Sequence, residues 1–497
     1  MIGRTGGVLL IAALLTARPA SAFSGVQQSS ETQPATVRDQ KQVTPPEGKK
    51  GEDDDLGRIP NAPSPAEPDS GPAASRHGNQ RVYVESVFTS SFDRGHLVVP
   101  SPQTTSSTWQ VRVFVDVRRE WHVTPRFTLT FSDRANVRAQ NDLAFVSREN
   151  VINDWREGFF SWEAFDNWYV DAGRINLKSG VALGYNPTDF FKTRSVVEPL
   201  SADPSVLRED RLGTLMVRGQ SLWTRGALTV AFAPAVAHAT PIYSDTSLPS
   251  IDPSFDRTNA RTRLLVKATV NAAADFSPEV LVYHEGDRTR LGVNVTRAIG
   301  QRVVAYAEWA GGAQADMVDD ALAYGRQTRA LPVGAPSPLP ADSGSAFRHD
   351  LSLGGSFSTA PKLTLNLEYH FHQAGFDKRD WERWFAAGEG ALGASGAAKE
   401  LWWIRSYALD RQEPLTRQSV FARADWVDAF IRHLELTGFV NMDVYDRSSV
   451  AQLAVDYFAS NTWTVGVQAS ANVGKARSDF GSLPQRGSVL FKVARYF

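Results

Sequence analysis

The sequence predicts an all-β fold, a transmembrane antiparallel β-barrel of about eighteen strands, with sixteen as the alternative count. Three observations lead there. Apolar and polar residues alternate with a period of two, short turns take turns with long polar loops, and aromatic residues collect near the short turns.

The alternation begins after residue 80. In Trp109 to Val117, the residues Trp109, Val111, Val113, Val115 and Val117 share one face, and Gln110, Arg112, Phe114 and Asp116 the other. In 362–372, Leu363, Leu365, Leu367, Tyr369 and Phe371 oppose Thr364, Asn366, Glu368, His370 and His372. Trp463, Val465, Val467 and Ala469 oppose Thr464, Gly466, Gln468 and Ser470. A soluble sandwich would alternate in the same way, so this signal establishes antiparallel β and no more.

Connections separate the two architectures. Short turns are expected near 123–125, 165–167, 219–221, 272–274, 299–301, 359–361, 427–429 and 460–461, with long loops at roughly 177–210, 234–258, 311–346 and 373–416. Short turns at one end and long loops at the other are the asymmetry of bacterial barrels. Two strands per turn, with 81–90 first and 487–497 last, make about eighteen. Trp121, Trp168, Trp426, Tyr457, Trp463, Tyr496 and Phe497 fall near the short turns or the C-terminus, where one interfacial girdle belongs.

Composition is compatible with this reading. Mean hydropathy is -0.28, and charged residues interrupt every later apolar run, so no transmembrane helix is expected. A barrel that alternates lipid-facing and lumen-facing residues averages to a polar sequence. The net charge of -1 speaks against a nucleic-acid partner held by a general basic field. The absence of cysteine excludes disulfides and Cys-based metal sites.

The chain divides into three. Arg4, the apolar run Val8 to Leu15 and the small-x-small Ala20-Ser21-Ala22 make residues 1–22 an export signal peptide. Residues 23–80, rich in Pro, Ser, Gln and acidic residues, bury too little to order and read as a disordered periplasmic tether. The barrel occupies 81–497.

The ending Gly487 to Phe497, with Val489, Phe491 and Val493 alternating before the final Phe497, resembles the C-terminal signal strand of Gram-negative outer-membrane β-barrels. The resemblance implies the outer membrane as location, its lipid and lipopolysaccharide as surroundings, and the barrel-assembly machinery as a partner reading Phe497. Arg495 departs from the pattern, where an apolar residue is commoner, and an Arg there can snorkel to the headgroups. A second stretch, Arg156-Glu157-Gly158-Phe159-Phe160, then Asn167 to Arg174, then Gly184-Tyr185-Asn186-Pro187-Thr188-Asp189, is similar to a layout of porin-like and alginate-export-like channels. There a hairpin ending in Gly-Arg precedes a loop with Asn-Pro-x-Asp. This chain departs from it at Gly158-Phe159 and Ile175.

Motifs for chemistry are weak. Gly388 to Gly393 fits G-x-G-x-x-G but lacks the parallel βαβ setting that a dinucleotide needs. Glu368, His370 and His372 share one strand face, yet the outer pair stands about 13 Å apart along a strand, too far to share a metal. No G-x-S-x-G or H-E-x-x-H occurs. No cofactor, metal or catalytic residue is assigned.

Alternation places Arg112, Asp116, Lys267, Glu368, Arg423, Asp425, Glu435, Asp443, Asp456 and Lys492 inward, with mixed signs and hence no strong ion preference. In the loop from about 177 to 210, Phe190 and Phe191 are expected to dock on the inner wall, bringing Asp189, Lys192, Arg194 or Arg208 near the solute path. With His370 and His372 beside Glu368, these are the pore-lining or constriction candidates. Residues 373–416 are expected to be partly helical and to fold inward or over the mouth. The expected role is passive passage of small solutes or oligosaccharides. Export of a polysaccharide or other polymer is the alternative, and an outer-membrane hydrolase the reading from another class.

Overall fold

In the computed structural model, eighteen strands close into a single antiparallel barrel. The structure describes residues 80–497 except 102–107, 142–150, 198–200, 243–252, 274, 335, 341–343, 390 and 392–395. The signal peptide and the tether to residue 79 lie outside the described residues, as does part of the 388–393 glycine string.

The strands are β1 Gln80–Asp93, β2 Trp109–Thr124, β3 Phe127–Gln140, β4 Val151–Phe165, β5 Trp168–Ile175, β6 Thr214–Trp223, β7 Gly226–Ala233, β8 Arg263–Val270 and β9 Glu279–Glu285. The second half comprises β10 Arg288–Ile299, β11 Val303–Gln314, β12 Ala346–Ser358, β13 Leu363–His372, β14 Gln418–Trp426, β15 Leu434–Asp443, β16 Ser449–Ser460, β17 Trp463–Val473 and β18 Gln485–Tyr496. Each pairs with the next. β18 returns to β1 in a register running from Tyr83↔Tyr496 to Phe92↔Gly487. Closure leaves no sheet edge, so every strand finds backbone partners on both sides.

The polarity is inside-out. On β13, Leu365 and Leu367 are exposed on the outer wall, while Asn366, Glu368, His370 and His372 are buried inside. On β2, Trp109 and Val115 face out, and Arg112, Phe114 and Asp116 are buried within. A wall exposing Val, Leu and Phe while burying Arg, Asp and Glu suits apolar surroundings and a polar lumen. Trp121, Trp168, Tyr457, Trp463 and Phe497 are exposed at the short-turn end. Arg495 lies over the Trp463 and Phe497 rings, at 5.4 and 5.0 Å from their centroids, so its methylenes stay on the wall while its charge leans on aromatic faces.

Seven of the eight expected turns lie at or beside strand ends. The exception is 219–221. Gly219-Gln220-Ser221 is interior to β6, and the turn to β7 falls at residues 224–225. Gly and Ser favour turns, but Gly219 sits on an outer wall where nothing presses within 4 Å, so the ladder passes through it.

Strand length sets where the chain enters the lumen. β1 to β4 have 14–16 residues, more than the roughly 9–11 needed to cross a bilayer. β5 to β9 have only 7–10. Where β5 stops at Ile175, residues 176–197 and 201–213 lie inside, the latter carrying the short helix α1 (Pro204–Glu209). The helical turn α2 (Phe255–Thr258) covers the low rim, with Phe255 edge-on to Trp155 and both rings around the Arg174 guanidinium.

Over the mouth at the long-loop end lie α3 (Met317–Gln327), α4 (Lys378–Glu389) and α5 (Gly396–Asp410). Their apolar faces form one cluster, with Leu322, Trp381, Trp384, Leu401, Trp403 and Ile404 buried together. Val99 from the β1–β2 loop joins it, and Ile242 and Leu483 from the β7–β8 and β17–β18 loops pack against it. Five of the connections on this rim thus meet in one core, a cap across the mouth.

Candidate functional site in the barrel lumen

The lumen is occupied by the 176–213 loop, and two carboxylates hold its first half. Glu308 on β11 accepts from the backbone N–H groups of Val181 and Ala182, the latter at 2.6 Å. Glu368 on β13 accepts from those of Leu183 and Gly184 at 2.7 and 2.8 Å. Four consecutive amides therefore end on two buried side chains. Glu368 also takes the Tyr306 hydroxyl at 2.5 Å and His370 Nε2 at 2.7 Å. Glycines flank the segment because it is pressed to the wall. A Cβ on Gly180 (φ +76°) would lie 2.5 Å from the Glu308 carboxylate, and one on Gly184 would lie 2.5 Å from the Phe421 ring.

Farther on, Thr188 donates to Asn294 of β10 at 2.8 Å, and Ser352 of β12 donates to the Tyr185 carbonyl at 2.5 Å. Asn186 Oδ1 accepts the Asp189 N–H at 3.1 Å, closing an Asx turn over Pro187. Phe190 stacks on Tyr283 of β9 with centroids 4.6 Å apart, and Phe191 meets the same ring edge-on. The aromatic pair docks on the inner wall.

The loop's far end reaches across the barrel. Asp210 pairs with Arg134 of β3 at 2.8 Å and Arg156 of β4 at 3.0 Å. Both arginines also hold Asp116 of β2, each at 2.8 Å. Two acids and two guanidiniums make a square, with Arg81 of β1 reaching Asp116 from outside it at 3.5 Å, and Arg134 lies over the Phe114 ring at 4.6 Å. Asp203 caps α1 through the Ser205 N–H and pairs with Arg423 of β14 at 3.0 Å. Gln452 of β16 bonds Ser201 and the Ala202 N–H.

The candidate residues fall into distinct surroundings. Arg112 is interior and reaches Gln110. Asp116 belongs to the arginine square. Asp189 takes a two-armed bond from Arg211 at 2.9 and 3.3 Å. Lys192 donates to the Asn186 carbonyl at 2.5 Å and sits 4.4 Å over the Tyr185 ring. Burial pushes its ammonium down to about 8, against Glu413 and Asp189, which pull it up. Arg194 ties the loop to the cap, through Asp410 of α5 at 3.0 Å and the Tyr324 hydroxyl at 2.5 Å. Arg208 donates to the carbonyls of Ser179 and Gly180, bracing the loop on itself. Arg423 and Asp425 pair at 2.8 Å on the half-buried wall beside Glu435 of β15.

His370 and His372 do not converge on one point. His370 lies between Glu368 and Ser419, and His372 Nδ1 between Asp350 at 2.7 Å and the Tyr185 hydroxyl at 3.2 Å. Among the described residues, no three His, Asp or Glu side chains are grouped to hold a metal. Ser419, His370 and Glu368 do form a line with the order of a hydrolase relay, at 3.2 and 2.7 Å. All three are buried beneath Gly184 and Tyr185, and Glu368 spends both oxygens on the loop, so a substrate has no approach to the Ser419 hydroxyl.

Sequence reasoning missed Glu308, Asp203, Arg211, Arg134 and Arg156. Glu308 left a signal, a lone carboxylate on the face that carries Val304, Tyr306 and Ala310. Arg134 stands directly opposite Asp116 in the β2–β3 hairpin, eighteen residues away, while the charged partners of Asp203, Arg211 and Arg156 lie more than twenty residues away, where no local spacing marks them.

A closed, even-stranded antiparallel barrel with an apolar exterior, a polar interior and a loop folded into its lumen defines a transmembrane β-barrel with a constricted interior. No described protein family and no curated protein matches the sequence. Solved structures similar to it include a triple mutant of Rhodopseudomonas blastica porin, at 8% identity and TM-score 0.37, covering 84% of this chain and 99% of that one. Pseudomonas aeruginosa OccK5 (OpdH) is similar at 8% identity and TM-score 0.48, covering 84% and 97%. Acinetobacter baumannii OccAB1 is similar at 10% identity and TM-score 0.47, covering 84% and 96%.

Proposed function

We propose that this chain is a Gram-negative outer-membrane channel for passive passage of small solutes, held constricted by its 176–213 loop and capped by α3 to α5. The observation that carries the reading is the anchoring of the loop. A barrel built only as a membrane anchor has no use for two carboxylates gripping four consecutive amides inside its lumen. An eighteen-strand wall is wide enough for an aqueous path, and the loop sets how much remains. A loop in the lumen and helices over the mouth suit small solutes better than an extended polymer, and the buried Ser419–His370–Glu368 line gives no support to catalysis.

The test is liposome swelling with the full chain, using solutes of increasing size, alongside migration of unboiled and boiled protein on a denaturing gel. A barrel whose migration shifts on boiling and whose liposomes admit small sugars supports the channel. A folded barrel whose liposomes admit none, even after residues 185–195 are replaced by a short Gly/Ser linker, overturns it.

A further inference from the structure

On the long-loop rim, above the seam where β1 meets β18, a cleft of about 330 Å³ opens between the β1–β2 and β17–β18 connections. That volume is at the lower end of small-ligand sites. Asp93, Arg94 and His96 line it from one connection, and Gly481, Ser482 and Arg486 from the other. The ladder between the two strands breaks here. Phe92 stands opposite Gly487 and Asp93 opposite Gln485, so Arg486 is the extra residue of a β-bulge, with no residue across from it. A bulge re-aims the side chain that it carries, and this one brings a guanidinium into the lining.

Arg94 is fixed beside it by the backbone. Its N–H donates to the Pro484 carbonyl at 2.8 Å, its Nε to that of Leu483 at 3.1 Å and its Nη2 to that of Asn472 at 2.5 Å. Asn472 donates in turn through Nδ2 to the Gln485 carbonyl at 2.9 Å, which ties the segment holding Arg94 to the bulge. Of the five side-chain N–H groups of Arg94, two are engaged and the rest remain. Burial and the Arg486 charge both push the Arg94 guanidinium down from its ordinary value, and no carboxylate pulls it back. Among the described residues neither guanidinium forms an ion pair. The Ser482 hydroxyl is already engaged, accepting from Arg405 and donating to the Asp479 carbonyl. Two like charges are thus held together by a bulge and three carbonyls, with nothing in the described chain to offset their repulsion.

We propose that this cleft binds a phosphate-type oxyanion. A phosphate ester carries close to two negative charges at neutral pH and three acceptor oxygens, so it answers both guanidiniums at once. A carboxylate has one charge and one edge, enough for a single arginine fork. A neutral solute leaves the repulsion as it was. The long-loop end is the extracellular side of a bacterial barrel, so the phosphate has two sources there: an ester dissolved in the medium, and the phosphates of lipopolysaccharide in the surrounding leaflet. The proposal goes beyond the channel reading, and binding is measurable whether or not the barrel conducts.

The test is calorimetric titration of the purified full chain, in neutral detergent at low salt, with inorganic phosphate and with acetate. Saturable phosphate binding is expected, roughly tenfold or more tighter than acetate, and Arg486→Gln should weaken it by a similar factor. Gly95→Glu, where an added Cβ meets nothing within 4 Å, sets a carboxylate in the lining and should abolish it. Arg302→Gln, an exposed arginine in the β10–β11 turn, removes the same charge at the opposite end and should change nothing. Boiling-dependent migration confirms that each variant is folded, and should Arg486→Gln fail to fold, Gly95→Glu decides. A second arm measures retention of lipopolysaccharide before and after its phosphates are removed enzymatically. Retention that needs both the phosphates and Arg486 assigns the cleft to the leaflet. Retention indifferent to Arg486, beside saturable phosphate binding, assigns it to a dissolved ester. The proposal is overturned by absent phosphate binding together with retention indifferent to Arg486. Acetate binding as tight as phosphate, or phosphate binding equally affected by Arg302→Gln and Arg486→Gln, overturns it as well.

Discussion

Replacing Glu368 with Gln tests the loop anchor, because the structure makes the consequence asymmetric. Glu368 Oε1 holds the Leu183 N–H and the Tyr306 hydroxyl, and Oε2 holds the Gly184 N–H and His370. A glutamine has one acceptor oxygen and one amino group. In either orientation the amino group faces a backbone N–H, and one buried amide loses its partner. An unsatisfied buried donor costs about 1–3 kcal/mol, and the surviving bond falls from charge-assisted to neutral, roughly 1 kcal/mol more. The sum, about 2–4 kcal/mol, corresponds to a roughly 30- to 700-fold rise in the population with the segment released, at about 1.4 kcal/mol per factor of ten. Glu308→Gln is the built-in comparison. Glu308 holds both of its amides through Oε1, and Oε2 meets only the Thr188 hydroxyl, which can accept from an amino group. Its cost should be about 1 kcal/mol, the loss of charge assistance alone, or a roughly fivefold effect. Hydrogen exchange of peptides covering 176–191, with strand peptides as the reference, reads both variants. Unchanged protection in Glu368→Gln, or a larger effect in Glu308→Gln, would refute the anchor.

Asp210→Ala should release the far end of the loop. It leaves Arg134 and Arg156 sharing one acid, and the cost should fall near the low end of the ~3–5 kcal/mol for breaking a buried pair, because Asp210 is itself 30% exposed; faster exchange in 201–213 with an intact barrel is the expected readout. Trp384, fully buried at the centre of the cap, should cost about 3–5 kcal/mol as Trp384→Ala, seen as rapid proteolysis within 378–410 while the barrel still shifts on boiling. The cap should also respond to pH. Burial pushes the Asp479 carboxyl up to about 7, with Asp443 and Asp446 adding to the rise and Arg405, at 2.7 Å, opposing it. A raised acid means that the folded state holds the proton longer, so cap stability falls as pH rises from about 4, the unfolded value, through 7. Exchange of α5 amides, corrected for intrinsic rate, should be slower at pH 5 than at pH 8, and Asp479→Asn should remove the difference. Deleting Phe497, whose N–H pairs with the Val82 carbonyl, should lower membrane insertion more than deleting residues 30–75, as judged by the heat-modifiable fraction in membranes.

By itself the sequence determined the wall. Period-two alternation on β2, β13 and β17 is a local property of consecutive residues, and it sorted Asp116 and Glu368 inward before any partner was known. Turn chemistry counted the strands, and it slipped at Gly219, where a glycine inside a strand looks like a glycine in a turn. Phe190 and Phe191 announced an inward loop because an aromatic pair needs something to dock on. What fills the lumen was decided by tertiary structure alone. Glu308 and Glu368 lie sixty residues apart yet grip adjacent amides, because β11 and β13 stand two strands apart in the closed sheet. Arg134 and Arg156 meet Asp210 only because β5 ends early and the chain crosses inside. Arg194, expected beside a solute path, also joins the loop to α5, a contact that only the fold reveals. Three tryptophans, Trp381, Trp384 and Trp402, gather around Arg405 at 5.3–5.4 Å, although neither helix alone shows what its apolar face will meet. Periodicity records which way a side chain points. Which distant group it meets depends on how barrel closure and strand length bring separate segments to one height, and no single stretch of sequence carries that information.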